Sequence, residues 1–417
     1  MRARCVFAFA LLASVAVAVC CCTGDRGGES SRDVECRADV QAADGRFTVS
    51  FDEPCGIELK GGDIRVGVQS GGSVRWKAGS EYPIIDVESK AGRTVVSYGG
   101  LPDFPALKLV MTPDDNAVLV EAELCNPHPF EIEVYGLEVP AFARELGGST
   151  NLGSEVIVLQ NGYDSWSFSW TLVKRFGDPL LPRCNGTVCA GGNNNGADAT
   201  SGISFWNATI APKPGGPGLT AGAVSAKRLK TIVAVEHRAY SGPDIRVVLG
   251  ATGDIVRLDP NECYGVDPVA LVASRDPLLS ALEYADMVAE RNPPPTIPPK
   301  FASPSGWSSW YCLFSRVTEQ DILDHTRILA REGFRDAGYG IVQIDDGYEV
   351  AVGDWRTNEK FPRGLKPLAD DIKSYGLVPG IWVAPFMFDA DVELVQRHPD
   401  WFVRDSASGG LYTYDDP

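Results

Sequence analysis

The stretch Gly340-Ile-Val-Gln-Ile-Asp-Asp-Gly347 decides how this chain is read. A short apolar run with β-branched residues ends in two adjacent carboxylates and a glycine. It predicts a buried strand that delivers Asp345 and Asp346 to its C-terminal end. Taken alone, Asp-Asp-Gly is more often a turn or a helix cap. The flanking segments raise it above that. Residues 305–311 read as a first strand. Thr318 caps a helix whose Ile322, Thr326 and Leu329 share a face, with Asp321 three residues after the cap. Residues 340–344 form the second strand. Leu365, Leu368, Ile372 and Tyr375 line the next helix, which Gly376 stops. Residues 377–386 read as a third strand and 389–398 as a third helix, ended by Pro399. Such alternation means parallel strands with crossover helices. In a parallel α/β barrel the C-terminal strand ends handle the substrate.

The chain before this region has a different pattern. From residue 36 to about 275 it consists of short alternating runs, such as 93–98, 107–111, 231–236 and 245–249. Val118, Val120 and Ala122 face opposite to Leu119, Glu121 and Glu123. Glycine, proline, asparagine and aspartate separate the runs. This grammar predicts a large sandwich of antiparallel sheets. Leu278, Leu282, Ala285 and Val288 then recur at helical spacing, with Pro277 at the first helical position. The run Asn292-Pro-Pro-Pro-Thr-Ile-Pro-Pro299 follows and reads as a stiff linker. The expected domains are a β-domain over 36–276, a helix and Pro-rich linker over 277–300, and an α/β domain over 301–417.

Composition narrows the function. The 417 residues carry a formal net charge of −17, which argues against a nucleic-acid partner and suits a neutral, hydrophilic small substrate. The N-terminus reads as a targeting segment. Arg2 and Arg4 precede an apolar run over 5–19 that is too short for a membrane span. Cys20, Cys21 and Cys22 end it, and a polar tether runs over 23–35. Two readings stand: a lipoprotein signal with a lipidated cysteine, or plain secretion with residues 1–22 as signal peptide. Either makes the protein exported, placed outside the cell, in a periplasm or at the cell surface, and its membrane contact is limited to a lipid anchor. Export permits disulfides. Cys36 with Cys55 and Cys184 with Cys189 are candidate pairs, while Cys125, Cys263 and Cys312 show no evident partner in the sequence. No His/Cys cluster has metal-ligand spacing, and no cofactor is expected.

The strand ends of the α/β region suggest chemistry. The first offers Trp307, Trp310 and Tyr311, the second Asp345 and Asp346, the third Trp382. Carboxylates accept hydrogen bonds from neighbouring sugar hydroxyls, and an indole covers the apolar C–H face of a pyranose. Paired carboxylates among tryptophans therefore predict a sugar site, although each tryptophan taken singly is more often core.

These residues resemble a known family. Gly306-Trp-Ser-Ser-Trp-Tyr, Gln343-Ile-Asp-Asp-Gly-Tyr, Gly353-Asp-Trp with Phe361-Pro-Arg-Gly, Gly380-Ile-Trp-Val-Ala-Pro-Phe and His398-Pro-Asp-Trp occur in order. Together they resemble the α-galactosidase (melibiase) group of glycoside hydrolase family 36. Asn161-Gly-Tyr-Asp-Ser-Trp-Ser resembles a motif of that family's N-terminal β-domain. The resemblance implies a β-supersandwich followed by a (β/α)8 barrel, and a retaining exo-hydrolase that releases terminal α-galactose from oligosaccharides without a metal. It implies substrate contacts by Asp345 and Asp346 to the galactose 4- and 6-hydroxyls, by Trp382, by Trp310 and Tyr311, and by Trp166 from the β-domain. The chain departs from the family in having Ser308 where cysteine is frequent and Tyr348 where tryptophan is. The family's nucleophile lies in a Lys-x-Asp motif on the fourth strand and its acid/base aspartate near the sixth. The sequence supplies only three βα units, so the expectation is a chain truncated within its barrel, without either catalytic carboxyl and inactive by itself. Asp415 and Asp416 precede any fourth-strand pattern and are not assigned. Related readings are a raffinose-synthase-like transglycosidase and an α-N-acetylgalactosaminidase. A different class is a non-catalytic surface carbohydrate-binding protein.

Overall fold

Alternating apolar runs can bury one face only by packing against a second sheet, and the computed structural model shows that arrangement. It describes residues 36–90, 92–162, 169–181, 183–184, 186–188, 202–250, 254–293, 304–404 and 408–413. The leader and tether, the Cys184–Cys189 pairing, Trp166, Asp415 and Asp416 therefore lie outside what is described. The chain divides into two compact units, one over 24–294 and one containing 295–417.

In the first unit the described residues form two ten-stranded antiparallel sheets. One runs in the order Ala38–Ala43, Arg46–Phe51, Ile57–Ser70, Ile132–Phe142, Gly242–Leu249, Thr231–Ala239, Ile203–Phe205. The other centres on Gly218–Ala223, Val269–Ser274, Ala117–Cys125 and Ala106–Asp114. Phe47, Val49, Leu59 and Ile64 of the first pack with Leu109, Val118, Val120 and Leu271 of the second in one core. The expected sandwich is observed.

Two disulfides brace it. Cys36 joins Cys55, as the spacing suggested. Cys125 joins Cys263, a pair invisible in the sequence because 138 residues separate them. The sheet brings them together as direct cross-strand neighbours.

The helix grouped with the linker is part of this unit. It spans Pro277–Arg291, with Asp276 accepting a hydrogen bond from the Leu278 amide and Pro277 in the first turn. The leucine stripe does not face the core: Leu278 is 69% exposed and Leu282 58%. The helix buries Ser280 and Tyr284 instead. The strand surface beneath it carries hydroxyls, and Thr209, Thr220 and Ser280 form a chain of 2.9 Å hydrogen bonds that a leucine could not join. Tyr284 closes the contact by donating to the Ala223 carbonyl.

The neighbouring strands Thr231–Ala239 and Gly242–Leu249 are buried on both faces, so their polar positions also lie inside. Arg246, 1% exposed, sits among carboxylates: 3.0 Å from Glu236, 2.6 Å from Glu145, and 3.5 Å from each of Glu138 and Asp244. Arg65 reaches Glu138 at 3.1 Å. Burial pushes the Asp244 carboxyl up, against the attraction of Arg246.

The second unit contains a three-stranded parallel sheet, Gly306–Ser308, Ile341–Ile344 and Val378–Ile381, with the middle strand paired on both sides. Its helices are Glu319–Arg331, with the expected Thr318–Asp321 capping box, and Leu365–Ser374. Ile322, Leu329, Leu368 and Ile372 pack with Val342 and Ile344. Fold and order match a β-sandwich followed by the first three βα units of a barrel.

The edges differ from expectation. The middle strand is buried at Val342 and Ile344 but only half-buried at Ile341 and Gln343, because the helices cover one face. The first strand ends at Ser308, since Ser309 takes helical dihedrals and starts a turn over Trp310–Leu313. The third ends at Ile381, short of Pro385, whose ring and missing N–H oppose strand pairing. The third helix is reduced to Glu393–Arg397 because Asp389 is tied back to Val352 by its amide (2.9 Å) and its carboxylate (3.1 Å).

Arg246→Met should lower the unfolding free energy by about 3–5 kcal/mol in urea titration, because buried carboxylates then face one another without their cation. A loss below about 1 kcal/mol would show that the cluster is already neutralised by protonation.

Candidate functional site

The three parallel strand ends converge because backbone pairing leaves no other choice. Ser308 lies opposite Gln343 in the ladder, and Gln343 opposite Gly380. Residues two positions apart on a strand share a face, so Gln343 and Asp345 point the same way. Asp345 is held from three directions. Its Oδ2 accepts from Ser308 Oγ and Gln343 Nε2, both at 2.8 Å, and its Oδ1 accepts from the Asp346 amide at 2.9 Å. Its own amide donates to Ser309 Oγ at 3.0 Å, a hydroxyl that is fully buried. Ser308 thus donates to the carboxylate, a task for which a thiol is a weaker donor.

Asp346 is placed differently. It is half-buried and shares a hydrogen bond with Glu349, which is itself buried. Burial first, then that hydrogen bond and the charges of Glu349 and Asp345, raise its carboxyl to about 7, against the pull of Lys360. Glu349 also accepts from the Gly347 amide, at 3.1 and 3.4 Å to its two oxygens. Asn358 ties the turn down by donating to the carbonyls of Gly347 and Glu349 at 3.0 and 2.9 Å.

Trp382 follows the third strand directly. Its amide donates to the Ile344 carbonyl at 2.9 Å, and its carbonyl accepts from the Tyr348 hydroxyl at 3.2 Å. Its ring meets Trp355 edge to face at 6.1 Å. Asp345, Asp346 and Trp382 therefore occupy the same end of adjacent strands. Trp310 lies on the helical turn beyond the first strand, half-buried and edge to face with Phe314 at 5.3 Å. Tyr311, on the same turn, is 84% exposed and does not line a cleft within this unit. Trp307 stacks on His325 at 4.2 Å and serves packing.

Sequence reasoning missed Ser309, Gln343, Glu349 and Trp355 as parts of the site. Gln343 had a signal in its period-two relation to Asp345. Glu349 had none, because only the turn folds it back toward Asp346.

That turn depends on Gly347. Its φ is 111°, and a Cβ there would lie 2.5 Å from the Ser315 Cα and 2.6 Å from its carbonyl oxygen. Backbone cannot give way as a side chain can. Gly347→Ala should cost about 2–3 kcal/mol of stability by urea unfolding. A neutral substitution would show that the 315 loop adapts.

Comparison with known proteins follows the same residues. A melibiase family profile matches residues 305–413. An α-galactosidase from Escherichia coli is 42% identical over 79 residues, which are 16% of this chain and 11% of that protein. The α-galactosidase AgaA from Geobacillus stearothermophilus is 32% identical over 102 residues, 22% of this chain and 13% of that protein. The crystal structure of AgaA, a family 36 α-galactosidase, superposes with a TM-score of 0.51 at 16% identity, covering 89% of this chain and 48% of that one. A further AgaA structure, with the same TM-score and coverage, holds raffinose. The chain thus spans about half the length of the solved relative. Strand-end motifs, sandwich and parallel sheet agree in one conclusion: this chain resembles the α-galactosidase group of glycoside hydrolase family 36.

Proposed function

We propose that the protein is an exported glycoside hydrolase acting on α-galactosides, of the retaining type that releases terminal α-D-galactose, and that Asp345 and Asp346 clamp the sugar's hydroxyls. The observation that carries this reading is the placement of two adjacent carboxylates beside Trp382 at one end of a parallel sheet. Carboxylate oxygens at successive residues take neighbouring hydroxyls, and an indole braced by Trp355 covers a C–H face. Retaining hydrolysis needs two carboxyl groups roughly 5–5.5 Å apart, one attacking and one donating a proton. Asp345, already accepting three hydrogen bonds, suits holding better than attacking. The catalytic pair is therefore assigned to neither Asp345 nor Asp346. The raffinose held by AgaA supports an α-galactoside oligosaccharide as ligand. Two disulfides among the described residues support export to an oxidising compartment, with the leader as its signal.

Titration calorimetry tests the clamp. Galactose should bind the purified chain, and Asp345→Asn should weaken it by roughly tenfold or more, the loss expected for a hydrogen bond to a charged group. Unchanged affinity in that variant would remove Asp345 from the site. For the reaction itself, an aryl α-galactoside offered with sucrose separates hydrolysis, which yields free galactose, from transfer, which yields a trisaccharide.

A further inference from the structure

The two carboxylates of the clamp differ in what surrounds them. Asp345 meets donors: a hydroxyl, an amide side chain and a backbone N–H. Asp346 meets another carboxyl. An ionised carboxylate only accepts hydrogen bonds, so two carboxyls joined by one must hold a proton between them. Glu349 is 7% exposed, and the Gly347 amide anchors its oxygens. It cannot easily swing into water to relieve the repulsion. The only cation among the groups facing Asp346 is Lys360, whose ammonium is engaged by the Ser315 carbonyl. Asp345 and Glu349 supply negative charge, and the Tyr348 hydroxyl, pushed up to about 12 by burial, stays neutral.

We propose that Glu349 is a positioning residue of the sugar clamp: it shares one proton with Asp346, so that Asp346 presents a hydroxyl donor and Asp345 an acceptor to the bound sugar. The proposal rests on the carbohydrate reading of the site for its ligand, but the shared proton stands on the geometry alone. It adds a recognition rule. A clamp of two acceptors takes only the protons of two hydroxyls. A clamp of one donor and one acceptor also fills a lone pair of one sugar oxygen, and it selects for a hydroxyl pair that can both give and receive. The proton has no other role: no bond is made or broken, and loss of the proton above neutral pH leaves two adjacent anions and a weaker site.

The test is a carbon-13 NMR titration of the side-chain carboxyls in the full chain, with galactose affinity measured over the same pH range. In the wild-type protein the Asp346 and Glu349 resonances should move through one common step near pH 7. In Glu349→Gln the Asp346 step should fall by roughly two pH units or more, because the carboxamide donates to the carboxylate. Wild-type galactose affinity should drop roughly thirtyfold between about pH 6 and about pH 8.5, following the protonated fraction, and the variant should lose that dependence. An Asp346 that titrates with ordinary aspartates overturns the proposal, as does a wild-type Glu349 resonance that ignores the Asp346 step or a near-neutral step that survives Glu349→Gln. Wild-type spectra alone decide the matter if the variant does not fold. A shared step in a chain that binds no galactose at any pH retires the carbohydrate reading and leaves the shared proton in place.

Discussion

Parallel pairing on both edges of the four-residue strand Ile341–Ile344 is the constraint from which the site follows. With neighbours hydrogen-bonded on each side, the strand cannot slip, and its exit residues are set against those of Gly306–Ser308 and Val378–Ile381. Val342 and Ile344 are driven into the helix layer, which turns Gln343 and Asp345 to the opposite face. A slip of one residue would exchange these faces and bury the carboxylate among leucines. The apolar half of the strand thus holds the polar half in place.

Electrostatics then differentiates two neighbours that are chemically identical. Asp345 accepts hydrogen bonds from both adjoining strand residues, whereas Asp346 leans on a second carboxyl in a turn tied down by Gly347 and Asn358. The β unit handles charge in another way. Its Arg246 cluster is enclosed because the strands carrying it are covered on both faces, and mutual pairing replaces water. One unit uses burial to neutralise acids with a cation, the other to make two acids share a proton.

Much of this architecture was legible beforehand. Alternation foretold the antiparallel strands, the Thr318–Asp321 box the start of a helix, and Asp-Asp-Gly after an apolar run the end of a strand. Those signals are local, because period and capping depend on residues within a turn or two. The failures were of two other kinds. The Leu278–Leu282 stripe suggested a core face, but a partner surface of hydroxyls selected Ser280 and Tyr284. Predicted strands over 305–311 and 377–386 ran past their true ends, because helical dihedrals at Ser309 and the Pro385 break outweigh apolar continuity.

The sequence by itself determined the strand and helix grammar, the order of the motifs and the identity of the paired carboxylates, since each is written in spacing along the chain. Only the tertiary structure decided which groups surround those carboxylates. Ser308 and Gln343 reach Asp345 through strand pairing, and Glu349 reaches Asp346 through a turn that needs a positive φ at Gly347. Cys125 meets Cys263 across 138 residues for the same reason. Hydrogen bonds, proton sharing and disulfides act over a few ångströms in space, and spacing in sequence does not carry that distance.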